Sequence, residues 1–407
     1  MKRFIYITVA VVALLLPVYY LARHHNAAGD DIVLCNYCPP GFELTDANEC
    51  RLRNLYQQYE SGSGQESGVG GLKSALPAAR DGFSPQQIDL GRYLFFDPAL
   101  SGDGTISCAS CHQPSRGFSD GLATSIGIKD APVPRAAPSL WNVSFLKRFF
   151  WDGRASSLEQ QMQGPLYAPN EMGTSREQLI RTLNEIPLYQ RLFEQAFPSR
   201  SSSNIELGEV YTCIAAFESS LISLNSRYDQ YAHGYHQALN KDEIEGLNIF
   251  RSFVARCAEC HTPPLFTNQQ LAVIGLAEPA GQPRDPGAEA VFHDRSLRAA
   301  FKVPSLRNVA MTAPYTHSGR FKTLREMVEF YTLGRGHEVP KNENLKIHWH
   351  IWEPKLSSYE LDRLVDFLKT LTDESFIPQI PERVPSGMEV RTSPAMARNL
   401  SRNQNLN

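Results

Sequence analysis

The stretch Cys108–His112 (CASCH) recurs later in the chain as Cys257–His261 (CAECH). Cys-x-x-Cys-His is the attachment signature of a c-type haem. Two thiols about one helical turn apart both reach the porphyrin vinyl groups, and the adjacent His supplies the proximal nitrogen ligand of the iron. A zinc knuckle or a redox pair accounts for a single Cys-x-x-Cys, but not for two copies that are each followed by His. The sequence therefore predicts two covalently bound haem c groups, one on Cys108, Cys111 and His112 and one on Cys257, Cys260 and His261.

The segments before the two motifs repeat each other. Residues 84–95 (SPQQIDLGRYLF) precede the first haem motif, and residues 240–250 (NKDEIEGLNIF) precede the second. Each segment opens with a helix cap, and each contains a Gly followed four residues later by an aromatic residue. A glycine inside a helix permits close packing, so we expect Gly91 and Gly246 to contact the helix that ends each module. The repeat indicates a duplicated cytochrome c module.

The remaining pattern is mostly helical. Apolar residues recur at helical spacing over 206–231 and 357–371, and strand patterns are scarce. We expect a mostly α fold of two cytochrome c-like haem domains that arose by internal duplication, with long functional loops. The predicted divisions are a signal peptide or N-terminal membrane anchor (1–30), a Cys-containing segment with a Gly/Ser-rich linker (31–83), an N-terminal haem c domain (84–235), a C-terminal haem c domain (236–380) and a disordered tail (381–407).

The N-terminus predicts export. Lys2 and Arg3 precede an apolar run over residues 4–21, which is short for a membrane span. A cleaved signal and a retained membrane anchor both remain open. Either one places the rest of the chain outside the cytoplasm, where bacteria attach c-type haem. We therefore expect a periplasmic protein that is soluble after cleavage or tethered to the inner membrane by residues 4–21.

The net charge limits the class of partner, and the cysteine content indicates how the thiols are used. The 407-residue chain has a net charge of -3, which argues against nucleic acid as a partner. Four of its eight cysteines lie outside the haem motifs. In an oxidising compartment we expect one disulfide in which Cys50 pairs with Cys35 or Cys38. Cys213 falls in a helical pattern and is interpreted as a buried thiol.

Several further motifs resemble the bacterial di-haem cytochrome c peroxidase and MauG family. They are residues 150–155 (FWDGRA), Gln161 with 164–165 (GP), 171–173 (EMG), 215–218 (AAFE), 301–309 (FKVPSLRNV) and 312–317 (TAPYTH). They follow the order of the family over roughly residues 84–372. The resemblance implies a peroxidase-class enzyme. Its N-terminal haem would be the peroxide site, and its C-terminal haem would store or relay electrons.

The same resemblance implies roles for three site residues. Glu171 and Gln161 match the distal pair of the peroxide site, where a carboxylate moves the protons of hydrogen peroxide and an amide orients the molecule. A surface acid is the alternative interpretation of Glu171. Trp151 matches a tryptophan that lies between the two haems, where an indole can bridge electron transfer. A core aromatic packed on a porphyrin edge is the alternative for Trp151.

Two departures from the family favour its MauG-like branch. Many family peroxidases carry a His after the first haem motif that caps the peroxidatic iron, whereas no His lies between Phe118 and Arg135 here. We therefore expect an open first iron. Tyr331 stands where those peroxidases place a Met ligand to the second iron, and MauG-like proteins place a Tyr there. A half-buried helix tyrosine is the alternative.

The surroundings of the second haem motif carry two further expectations. The resemblance places His317 near the second haem in a propionate or supporting role rather than as an axial ligand. Ala136 replaces the Asn that the family uses for calcium. Backbone oxygens remain, but the missing side-chain ligand argues against calcium. The histidines without a surrounding motif are interpreted as surface or internally bonded residues: His233, His236, His337, His348 and His350.

The sequence supports two classes of function. The first is an oxidoreductase that uses hydrogen peroxide and takes electrons from a small periplasmic donor protein. In its MauG-like version it oxidises Trp or Tyr of a partner protein. The second class is a non-catalytic di-haem electron-transfer cytochrome. Glu171 and Gln161 favour the enzyme, because a carrier needs no distal acid.

Overall fold

The computed structural model describes residues 32–53, 76–352 and 354–392. Most of the regular structure in these ranges is helical, which confirms the mostly α prediction. The first helices are α1 (Pro85–Phe96), α2 (Cys108–Cys111), α3 (Leu158–Tyr167), α4 (Arg176–Asn184), α5 (Pro187–Ala196) and α6 (Leu207–Ser219). They are followed by α7 (Arg227–Ala232), α8 (Lys241–Phe250), α9 (Cys257–Cys260), α10 (Glu289–Phe292), α11 (Leu324–Phe330) and α12 (Ser358–Lys369). Two antiparallel pairs join β1 (Phe42–Leu44) to β2 (Cys50–Leu52) and β3 (Leu271–Val273) to β4 (Ala300–Lys302).

The duplication is visible in two matching helix pairs. Helix α1 packs on α6, and α8 packs on α12. Ser84 caps α1 and Asn240 caps α8, each through a reciprocal capping box. A Cβ added to Gly91 would lie 1.8 Å from the carbonyl oxygen of Cys213 on α6, and one added to Gly246 would lie 2.0 Å from that of Arg363 on α12. The expected close approach at both glycines is confirmed.

Each helix pair belongs to its own hydrophobic core. The first core collects buried side chains of α1, α3, α4, α5 and α6. The second collects those of α7, α8, α11 and α12. Tyr228 and Ala232, which precede the predicted boundary at residue 235, belong to the second core. The two haem motifs follow α1 and α8, so each lies at the edge of a different core.

The segment before α1 is held by a disulfide. Cys38 bonds to Cys50 on β2, which selects one of the two pairings that the sequence leaves open. Cys35 is a free thiol, and its backbone N–H donates to the Asp89 carboxylate at 2.9 Å. Cys213 is a buried free thiol, as expected. Residues 54–75, which include most of the predicted Gly/Ser-rich linker, lie outside the described residues.

The C-terminal segment differs in part from its prediction. The sequence predicts a disordered tail from residue 381, whereas residues 381–392 pack on the first half of the chain. Val384 is buried in the first core, and the Ser386 hydroxyl donates to Asp97 at 2.6 Å. The predicted export element and residues 393–407 lie outside the described ranges. Within those ranges no helix has the length and apolar character needed to cross a membrane.

Candidate haem and peroxide site

The first haem motif is built to present one ring nitrogen. Cys108 and Cys111 lie at the two ends of the one-turn helix α2, and His112 caps its end. The His112 Nδ1–H donates to the carbonyl oxygen of Phe118 at 2.9 Å. This bond fixes the tautomer and leaves the Nε2 lone pair free. Phe118 is buried with φ of 62°, and this left-handed backbone directs its carbonyl toward the imidazole.

The second haem motif repeats this arrangement. Cys257 and Cys260 lie at the ends of α9, and His261 caps it. The His261 Nδ1 is 3.1 Å from the carbonyl oxygen of Phe266 and 3.2 Å from that of Pro304. Phe266 has φ of 54°, matching Phe118 in the first motif. Both histidines therefore have a free Nε2, as an axial iron ligand requires.

The electrostatics of both motifs suit neutral thioethers. Burial raises the pKa of Cys111 to about 12 and that of Cys257 to about 12. A redox pair or a zinc site needs a lowered thiol pKa, because the thiolate is the reactive or ligating form. Burial also lowers the pKa of His112 and of His261, so each imidazole is neutral at neutral pH. The residues therefore fit covalent haem attachment.

A cavity of about 300 Å³ lies at the second haem motif. Its wall includes both cysteines and the histidine of that motif, and it extends to Trp151 and Tyr331. Much of the rest of the wall is apolar, which suits a porphyrin face. When haem is bound there, it supplies the redox-active iron. The chain supplies the thiols, the proximal imidazole and the enclosing wall.

Tyr331 faces this cavity from the end of α11. Burial raises the pKa of Tyr331. The residue lines the same cavity as both cysteines of the second haem motif. A phenol in this setting keeps its proton unless a cation replaces it. The position is compatible with an iron ligand, and the ligand role of Tyr331 stays a prediction.

Trp151 lines the same cavity. Its indole N–H donates to the carbonyl oxygen of Ala136 at 2.9 Å, and the Ala136 N–H donates to the carbonyl oxygen of His317 at 2.8 Å. Both backbone groups of Ala136 are therefore bonded within the protein. The methyl side chain of Ala136 offers no oxygen ligand, and the expectation about calcium stays a prediction.

His317 is buried between aromatic rings and a carboxylate. Its imidazole stacks on Phe301 with ring centroids 3.8 Å apart, and its Nε2 is 3.3 Å from Glu278 Oε2. Trp151 meets the same imidazole edge-on, with ring centroids 6.4 Å apart. The Glu278 contact occupies the Nε2 atom. This supports a positioning role for His317 beside the second haem rather than axial ligation.

Glu171 lies near the first haem motif, and Gln161 lies on α3, whose apolar side chains belong to the first core. Helix α3 carries Gln161, which is half-buried. Burial raises the pKa of Glu171, and the charge of Arg154 opposes this shift. The Glu171 charge also contributes to the raised pKa of Cys111, so the carboxyl group lies near that thiol. The carbonyl oxygen of Glu171 accepts the N–H of Ile128 at 2.9 Å, which fixes the backbone.

Two charged residues near the motifs had no role in the sequence prediction. Burial raises the pKa of Glu218 to about 8, and the charge of Glu218 contributes to the raised pKa of Cys108. Its Oε2 has no hydrogen-bond partner among the described residues. Lys302 lies in the wall of the cavity at the second haem motif, where burial lowers its pKa to about 8. The motifs AAFE and FKVPSLRNV contained these residues, but only the fold places them beside the haem sites.

Several known proteins are similar to this chain in sequence and fold. Residues 85–237 match the family described as di-haem cytochrome c peroxidase. The chain is 37% identical over 301 residues to the methylamine utilization protein MauG of Methylorubrum extorquens, covering 73% of this chain and 82% of that protein. It is 35% identical over 324 residues to the cytochrome c551 peroxidase of Nitrosomonas europaea, covering 79% of this chain and 89% of that protein. A crystal structure of a MauG-like protein associated with microbial copper homeostasis superposes with a TM-score of 0.69 and 32% identity, covering 77% of this chain and 100% of that chain.

Two helix-bounded modules, each with a Cys-x-x-Cys-His turn, define a di-haem c-type peroxidase fold. The class is that of the peroxidase-type oxidoreductases. This chain belongs to the di-haem cytochrome c peroxidase and MauG family, which implies two haem c cofactors. The family inferred from the sequence motifs is confirmed.

Proposed function

We propose that this protein reduces hydrogen peroxide at the first haem with electrons that arrive through the second haem. The electrons come from a partner protein. That partner is a small periplasmic carrier or, in the MauG-like version, a protein whose own Trp or Tyr is oxidised. The overall reaction consumes one hydrogen peroxide, two electrons and two protons and yields two water molecules. When bound, the haems supply the redox chemistry, and the chain supplies proton transfer, orientation and the connecting path.

The half-buried carboxyl group of Glu171 is the observation that carries this proposal. The negative charge of Glu171 contributes to the raised pKa of the Cys111 thiol, and burial raises the pKa of Glu171 above its ordinary value of 4.5. A carboxylate there accepts the first proton of hydrogen peroxide and returns it to the leaving oxygen. The amide of Gln161, on the helix that directly precedes Glu171, orients the peroxide by hydrogen bonding. An electron carrier gains nothing from a desolvated acid beside its haem.

An open first iron is the second requirement. The N–H of Ile128 bonds to the carbonyl of Glu171, and the Ile128 side chain packs toward Gly173. An apolar residue therefore stands in the region where many family peroxidases carry a capping His. Ile128 offers the iron no ligand, which supports binding of hydrogen peroxide without prior removal of a side chain.

The connection between the two haems rests on Trp151 and Tyr331. Both line the cavity at the second haem motif, and the Trp151 indole is fixed by its bond to Ala136. An indole in that position can pass electrons between the two centres. A tyrosine ligand favours higher oxidation states of iron, whereas a Met ligand disfavours them. Tyr331 therefore favours the MauG-like version.

The Cys chemistry supports a periplasmic location, as the N-terminal sequence also does. The Cys38–Cys50 disulfide is typical of an oxidising compartment, where c-type haem is also attached. The negative formal charge and the absence of a basic motif give no support to nucleic acid as a partner.

The test is Glu171→Gln, with Glu177→Gln as a matched control on the exposed face of α4. Proton transfer by a placed side chain contributes about 10² to 10⁴ in rate, so Glu171→Gln should slow the peroxide-induced absorbance change by about 100-fold or more. In the parent protein the rate should fall with decreasing pH at a pKa above 4.5, because burial favours the protonated carboxyl group.

Both variants should keep two covalently attached haems that remain reducible. Loss of haem from Glu171→Gln would make the residue structural. A peroxide reaction of Glu171→Gln as fast as that of Glu177→Gln would exclude the distal role and favour the electron carrier.

A further inference from the structure

Four large apolar residues form an exposed group beside the second haem motif. They are Phe253 at 76% exposure, Val254 at 52%, Trp349 at 64% and Trp352 at 40%. We call them the aromatic patch. The first two lie between α8 and α9, and the two tryptophans lie between α11 and α12. The Trp352 indole N–H donates to the carbonyl oxygen of Val254 at 3.0 Å, which joins the two segments. Clustered exposed apolar side chains of this kind mark interaction sites.

The aromatic patch continues inward to the second haem site. Trp352 lines the same cavity as Cys257 and Cys260. Trp349 packs on His350 with ring centroids 3.6 Å apart, and the His350 Nδ1 is 3.9 Å from Cys260 Sγ. The Trp352 indole is thus exposed on one side and faces the cavity on the other. It is placed to carry an electron between the surface and the second haem.

The charge around the aromatic patch is mostly basic, and its acidic exception is Glu259, whose carboxylate lies 2.9 Å from His350 Nε2. The Arg256 guanidinium lies 4.2 Å from the ring centroid of Phe253 and 4.7 Å from that of Trp352. Arg251 donates to Asn248 Oδ1, and Arg335 donates to the carbonyl oxygen of Ile347 beside His348. In the part of the chain that the structure describes, none of these three guanidiniums has a carboxylate partner. Tryptophan and arginine are the residues that contribute most to binding at protein interfaces.

We propose that the aromatic patch with Arg251, Arg256 and Arg335 is the docking surface for an electron-donating protein with an acidic contact face. The inference rests on the proposed function and names the partner's surface chemistry. Each encounter moves one electron from the partner through Trp352 to the second haem, and the partner is oxidised by one electron. Two encounters supply the two electrons that, with two protons, convert hydrogen peroxide to two water molecules.

The test uses one electron carrier in two charge states. Succinylated mitochondrial cytochrome c carries carboxylates in place of lysine ammonium groups and is acidic, whereas the native carrier is basic. Equilibrium titration of the holoprotein without peroxide should show that the succinylated carrier binds at least about tenfold more tightly than the native one. Binding should weaken as salt is added, because screening reduces the attraction.

Charge-reversal variants of the arginines test whether the acidic carrier binds at the aromatic patch. The double variant Arg251→Glu with Arg256→Glu should weaken binding of the succinylated carrier by about tenfold or more, while Arg181→Glu on α4 should leave it unchanged. Trp352→Phe should lower the rate at which saturating reduced carrier is oxidised after peroxide is added.

The binding measurement separates this proposal from the proposed function. Equal affinity for both carriers, or no effect of the double reversal, would overturn the docking surface even if peroxide turnover is normal. An unchanged oxidation rate in Trp352→Phe would overturn the route through the indole. A parent protein that binds the acidic carrier but does not react with peroxide would overturn the proposed function instead.

Discussion

Gly246→Ala should destabilise the second module by about 2 kcal/mol. The new Cβ would lie 2.0 Å from the carbonyl oxygen of Arg363 and 2.8 Å from Cβ of Phe367, so α8 and α12 would have to separate. Overpacking costs about 1–3 kcal/mol, and a clash of 2.0 Å with a backbone oxygen belongs at about 3 kcal/mol. Replacing a helical Gly with Ala returns about 0.5–1 kcal/mol, which leaves a net loss of about 2 kcal/mol. For a module of ordinary size the net loss corresponds to a fall of about 4–8 °C in unfolding temperature.

Circular dichroism during heating is the assay, with Gly208→Ala as the matched control. Gly208 lies in α6, and a Cβ added there meets no atom within 4 Å. The control should therefore be as stable as the parent or slightly more stable. Gly91→Ala should behave like Gly246→Ala, because its Cβ would lie 1.8 Å from the carbonyl oxygen of Cys213. If Gly246→Ala proves as stable as Gly208→Ala, the close contact between α8 and α12 is wrong.

Two further predictions concern buried groups. Tyr331→Phe should change the absorption and magnetic resonance signals of the second haem and remove oxidising equivalents shared between the haems. Unchanged low-spin signals would leave Tyr331 as a packing residue. The raised pKa of Glu218 means that the folded protein holds a proton that the unfolded chain releases, so the parent should lose stability as pH rises from 4.5 to about 8. Glu218→Gln should reduce this loss. Unfolding temperatures of parent and variant that fall in parallel over this range would contradict that ionisation.

The parts of the fold that depend on local pattern were predictable from the sequence. Helices α1 and α8 begin at Ser84 and Asn240, whose caps are visible in the sequence, and the glycine of each helix meets a partner helix as expected. The haem motifs were equally clear, because the spacing of Cys and His is dictated by one helical turn. Local chemistry was sufficient for these elements.

Features that depend on contacts between distant segments were missed. The aromatic patch joins Val254 to Trp352, and no periodicity links those positions. Residues 381–392 have the composition of a disordered tail, yet Ser386 bonds to Asp97. The choice of Cys38 over Cys35 for the disulfide depends on the β1–β2 pairing. His348 and His350 lacked a motif, although the fold brings both to the cavity at the second haem motif.

Electron paramagnetic resonance of the fully oxidised protein tests the central claim most directly. The claim is that the first iron is open to hydrogen peroxide, with Glu171 beside it and the apolar Ile128 in place of a capping ligand. The account predicts one high-spin ferric signal from the first haem and one low-spin ferric signal from the second. Two low-spin signals would contradict it, because a side chain would then occupy the peroxide position and the protein would resemble an electron carrier.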